Sequence, residues 1–170
     1  MRFASCLLLL TAAATLPAQA ITACNTAISV PGTYYLTGNL NCPSTAFGIM
    51  VYANNVNIDL RGFTLSGNGG HHGIGNYLPG ASDPCQRVPQ YLRVYNGRIT
   101  NWNVGISLCA SYYQPAQFSR AWLHDLNVSN NVITGIALSN LIAVSITNST
   151  LNSNVNSSGQ GYGINASRIS

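Results

Sequence analysis

The 170 residues contain no lysine and no glutamate. Every basic side chain is an arginine, and the only acids are Asp59, Asp83 and Asp125. With charged residues at 6%, solubility must come from Asn, Ser, Thr and Gly. Such a composition also suits disorder, but a hydrophobic content of 46% argues for a packed interior. The net charge of +4 is mild and no arginine-rich run accompanies it, which excludes nucleic acid as the expected partner. It is compatible with an acidic polymer. There is no Cys-x-x-Cys and no close Cys/His pair, so no zinc or other metal site is expected. Long amphipathic helical patterns are missing. Beyond the first twenty residues no apolar run approaches the ~20 residues that a membrane span needs.

What is present begins with a leader pattern. Arg2 gives a positive start, Leu7 to Leu10 open an apolar centre, and Ala18-Gln19-Ala20 is a small-x-small cleavage site. The expectation is a signal peptide over 1–20, one domain over 21–170, and a secreted or periplasmic protein. Four cysteines remain in the mature chain: Cys24, Cys42, Cys85 and Cys109. An even count behind a leader predicts two disulfides. Of the three pairings, Cys24–Cys42 with Cys85–Cys109 is favoured because each closes a local segment.

A repeat runs through the rest. Gly-Ile steps begin at positions 48, 73, 105, 135 and 163, at spacings of 25, 32, 30 and 28 residues. That range suits a solenoid. A second register aligns Leu65, Ile99, Val128 and Leu151. Five residues upstream lie Leu60, Val94, Leu123 and Ile146, and seven upstream lie Ile58, Leu92, Ala121 and Val144. Apolar residues at every second position predict strands, not helical repeats. Gly62, Asn96, Asp125 and Asn148 form a column of residues that tolerate a left-handed backbone, hence a sharp turn in each unit. Stacked units would align their aliphatic side chains inside, about 4.8 Å apart.

The segments PGTYYLTGNL (31–40) and NVNIDLRGFTLSGNG (55–69), with the later Asn-rich turns and Gly-Ile strands, resemble the opening layers and coils of the pectin-lyase-like superfamily. The resemblance covers roughly residues 24–170. It implies an all-β, single-stranded right-handed parallel β-helix. The repeat count gives about five coils. Cys24 to Cys42 would form the leading cap. Gly163-Ile164-Asn165-Ala166 starts a strand and Arg168-Ile169-Ser170 starts another coil, so a C-terminal cap is expected to be missing. Self-association through that uncapped end is a further expectation.

The resemblance also implies polysaccharide binding along one outer sheet. Sequence register places Asp59, Arg93, Trp122 and Ser145 in one outward column, with Arg61, Tyr95, His124 and Thr147 in the next. Trp122 and Tyr95 are expected to stack on sugar rings, with Asp59, Arg61 and Arg98 as further substrate contacts. Arg61, Arg93 and Arg98 suit uronate carboxylates. Arg93 and His124 are the catalytic candidates, as base and as cation beside a developing enolate. If the chain is an enzyme, lyase chemistry ranks before glycoside hydrolysis. No Asn-Thr-Asp or Asp-Asp step is present, and Asp59 and Asp125 lie two layers apart. Arg87-Val88-Pro89-Gln90-Tyr91-Leu92-Arg93 misses the lyase pattern Arg-x-Pro-x-x-Arg by one residue. No cofactor is expected, and two coil carboxylates do not support calcium. A plainer account pairs Asp59 with Arg93 across layers on a solvated face. A non-catalytic, adhesin-like surface β-helix is the alternative function. Segments 76–91 and 110–118 would decide between the two by walling the strip into a groove or leaving it open.

Overall fold

The computed structural model describes residues 17–78, 80–83, 85, 89–111 and 120–168. Residues 1–16 of the expected leader lie outside the described residues. So do residues 79, 84 and 86–88 of one segment expected to wall the strip, Arg87 and Val88 among them, and 112–118 of the other.

The described residues form fifteen strands and no helix. In chain order these are β1 (Gln19–Ile21), β2 (Thr26–Ile28), β3 (Gly32–Leu36), β4 (Leu40–Asn41), β5 (Ile49–Val51), β6 (Val56–Asp59), β7 (Thr64–Ser66), β8 (His72–Gly75), β9 (Leu92–Thr100), β10 (Val104–Cys109), β11 (Arg120–Ser129), β12 (Thr134–Ser139), β13 (Ala143–Thr147), β14 (Thr150–Asn152) and β15 (Tyr162–Ser167). They build two sheets. One runs β1-β3-β6-β9-β11-β13, with β4, β7 and β14 alongside; the other runs β2-β5-β8-β10-β12-β15. All pairings are parallel, and along each sheet the next strand in the chain is the next strand in space. Two parallel sheets visited alternately are consistent with a β-solenoid. No described helix is long and apolar enough to cross a membrane.

The core lies between the sheets. Ile49, Ile74, Ile106, Ile136 and Ile164 are in register in the second sheet. The first four are buried and Ile164, on the last strand, is 45% exposed. The glycine before each of the four buried isoleucines is there for want of space. A Cβ on Gly73 would lie 2.6 Å from the Gly105 carbonyl oxygen, and one on Gly105 would lie 2.7 Å from that of Gly135. None of these glycines has a positive φ. Closeness between layers explains the step.

In the first sheet, Leu40, Leu65, Ile99, Val128 and Leu151 superpose. The second inward column is Tyr34, Ile58, Val94, Leu123 and Ile146. Leu60 does not stack on Val94 as expected; Ile58 does. The chain has two extra residues in this layer, and they form a tight turn. Phe63 N donates to Leu60 O at 2.8 Å, with φ of 51° at Arg61 and 78° at Gly62, the signature of a type I′ turn. A slip of two residues preserves inward–outward alternation, so periodicity alone cannot detect it. The left-handed column is present: Gly62, Asn96, Asp125 and Asn148 all have positive φ.

Two buried asparagines link successive layers. Asn131 Oδ1 accepts from Trp102 N at 3.0 Å, and Asn154 Oδ1 accepts from both Asn131 N and Asn131 Nδ2. Disulfides join Cys24 to Cys42 and Cys85 to Cys109. Gln19 and Ala20 pair with Tyr34 and Tyr35 in β1, so cleavage after Ala20 would leave only Ile21 of that strand.

Candidate functional site

The two-residue slip rearranges the expected strip. Asn57, not Asp59, stands beside Arg93, Trp122 and Ser145. Asp59 stands beside Tyr95, His124 and Thr147, with Tyr35 on its other side. The cross-layer Asp59–Arg93 ion pair is therefore absent. Asp59 Oδ1 instead accepts from Arg61 N at 2.8 Å and from Asn96 Nδ2 at 3.2 Å, which braces the tight turn. Arg61 has left the sheet for that turn and lies 3.5 Å over the Tyr35 ring.

Five of the seven expected residues share one outer face: Asp59, Arg93, Tyr95, Trp122 and His124. Tyr95 and His124 stack with centroids 5.0 Å apart and planes within 5°. His124 Nδ1 donates to Asp125 Oδ2 at 2.7 Å. Strand alternation alone would turn these neighbours apart. The left-handed backbone of Asp125, with φ of 55°, overrides it and swings the carboxylate back to the imidazole. Asn148 Nδ2 donates to the other oxygen at 2.9 Å. These two hydrogen bonds, His124 first, hold the Asp125 carboxyl below its ordinary value. Arg98 lies round the bend, in an open recess that Asp125, Thr64 and Asn148 also line.

Two residues of the strip escaped the sequence reading. Tyr91 stacks on Trp122 with ring centroids 6.2 Å apart, and the Arg120 guanidinium lies 5.9 Å over the Tyr91 ring. Arg93 lies 5.8 Å over Trp122. Extending the outward alternation two positions upstream of Arg93 and Trp122 would have found both. Among the described residues no carboxylate pairs with Arg93, Arg98 or Arg120, and no group of three or more His, Cys, Asp or Glu could hold a metal.

No known protein family, curated protein or solved structure matches the chain. Its likeness to the pectin-lyase-like superfamily accordingly rests on the quoted segments alone. The arrangement itself offers aromatic faces, unpaired guanidiniums and one imidazole held by a carboxylate. Those groups can bind a polar ring compound, and the imidazole's second nitrogen can exchange a proton.

Proposed function

We propose that the chain is an exported right-handed parallel β-helix of about five coils, of the pectin-lyase-like kind, that binds polysaccharide along the outer face of its first sheet. The observation that carries this reading is the aromatic strip. Tyr35, Tyr91, Tyr95 and Trp122 lie on one face, each in contact with an arginine, an imidazole or another ring. Tyr91 is exposed and the other three rings are half-buried, and a row of accessible rings on a rigid sheet is a platform for the apolar faces of sugars, with polar neighbours selecting among them. Two disulfides suit an oxidising compartment.

His124 is the group best placed to serve chemistry, because Asp125 and Asn148 fix its orientation. A glycan array of acidic and neutral polysaccharides tests the reading, together with absorbance at the unsaturated-uronate band. Binding to at least one polysaccharide is expected, and Trp122→Ala should weaken it roughly tenfold or more. No binding anywhere on the array would defeat the proposal. Binding without new absorbance would remove the lyase chemistry and leave the binding.

A further inference from the structure

Tyr91 is the one aromatic residue among the described non-glycine residues with a positive φ, at 60°. Most of the others are asparagine, which accepts that backbone readily; a bulky ring does so at an energetic cost. The neighbouring layer shows what the fold requires here. Asn55 occupies the equivalent position, one residue before Val56 as Tyr91 is one before Leu92, and its φ is 55°. Asparagine therefore satisfies the turn. Nor does tyrosine gain much by burial, for it is 42% exposed. A strained backbone at a position that asparagine could fill points to a use for the ring.

The surroundings indicate what the ring meets. Tyr91 and Trp122 lie within 18° of parallel and stack, with ring centroids 6.2 Å apart. Arg93 and Arg120 flank it at 5.8 and 5.9 Å, near the outer limit for a cation over a ring. Neither guanidinium is committed to a carboxylate among the described residues, so each can turn its fork of donors to an incoming anion.

We propose that Tyr91, Trp122, Arg93 and Arg120 form an anchoring subsite for a sugar residue bearing an anionic group, carboxylate or sulfate, with the sugar ring against the stacked aromatic pair and the anion beside the guanidiniums. The proposal deepens the polysaccharide reading and rests on it. Single-stranded nucleic acid also joins rings to anions, but it needs a longer cationic track than a chain of net charge +4 provides.

The test is fluorescence titration of the full chain with four probes: oligogalacturonate, a sulfated galactan oligosaccharide, neutral cello-oligosaccharide and oligo-dT. One or both anionic sugars should bind at least tenfold more tightly than the neutral one, and which of them binds identifies the anion. Tyr91→Asn should lose roughly tenfold or more in that affinity while its melting temperature stays level or rises, because strain is relieved. A merely structural tyrosine would lower both. Arg120→Gln should weaken anionic binding and flatten its salt dependence. Equal affinity for neutral and anionic sugars, or wild-type affinity in Tyr91→Asn, would overturn the subsite and leave polysaccharide binding intact. Binding to oligo-dT alone would overturn both.

Discussion

Asparagine supplies seven of the twelve described non-glycine residues with positive φ, which explains why a chain so poor in charge is so rich in that residue. Each turn needs a left-handed position, and a short amide side chain fills it at little cost. His72 is the opposite case, a polar group in an unaccommodating place. Its Nδ1 is buried without a hydrogen-bond partner among the described residues. Phe47, His71 and Tyr77 surround it. Burial first, and His71 second, hold its imidazole below the ordinary value of 6.5. The folded state therefore prefers the neutral ring. Above pH 6.5 neither state binds the proton and this contribution to stability is complete. As pH falls through that value the unfolded chain takes the proton first, and stability declines until the folded-state value is reached. Urea midpoints should drop between pH 7.5 and 5.5, and His72→Gln should show a shallower drop. Identical slopes in both proteins would mean that other groups carry the acid sensitivity.

At the scale of the strand, the glycine column is the most demanding feature. Gly105→Ala would set a Cβ 2.6 Å from Val128 Cγ1 and 2.7 Å from the Gly135 carbonyl oxygen. Neither neighbour is the free end of a flexible side chain, so a loss of about 1–3 kcal/mol is expected in equilibrium unfolding. The same change at Gly38, with nothing within 4 Å, should be almost silent. Strand identity and inward faces were legible in the sequence because period-two apolar spacing reports which side of a strand is buried. Leu92, Val94, Ile99, Leu123 and Val128 are all buried as that spacing requires. The partner of Ile58 was not legible. Leu60 is as deeply buried as Ile58, and choosing between them requires knowing that Arg61-Gly62 folds back as a tight turn.

For the whole molecule, the same limit shaped the candidate site. Arg93, Tyr95, Trp122 and His124 share a face because β9 and β11 run in plain register. Asp59 was misplaced by the slip, and the contact between His124 and Asp125 was hidden because strand logic fails at a left-handed residue. Stability should also vary along the stack. Strands β6, β9 and β11 have neighbours on both sides, whereas β13, β14 and β15 have one, and Val155, Tyr162 and Ile164 are 45–58% exposed. Amide exchange should be slowest in β9 and β11 and fastest in β13 to β15. Uniform protection throughout would show that the layers open together.

The bends at Gly62, Asn96, Asp125 and Asn148 follow one another from layer to layer. They form a keel between two surfaces, with the ring-bearing strip on one flank and the Arg98 recess on the other. A stiff, linear guest can meet successive rows only by lying lengthwise beside that keel. If polysaccharide binds as proposed, a guest with a side branch would be needed to reach both flanks at once, across Asp125, which lines the recess and contacts His124 of the strip.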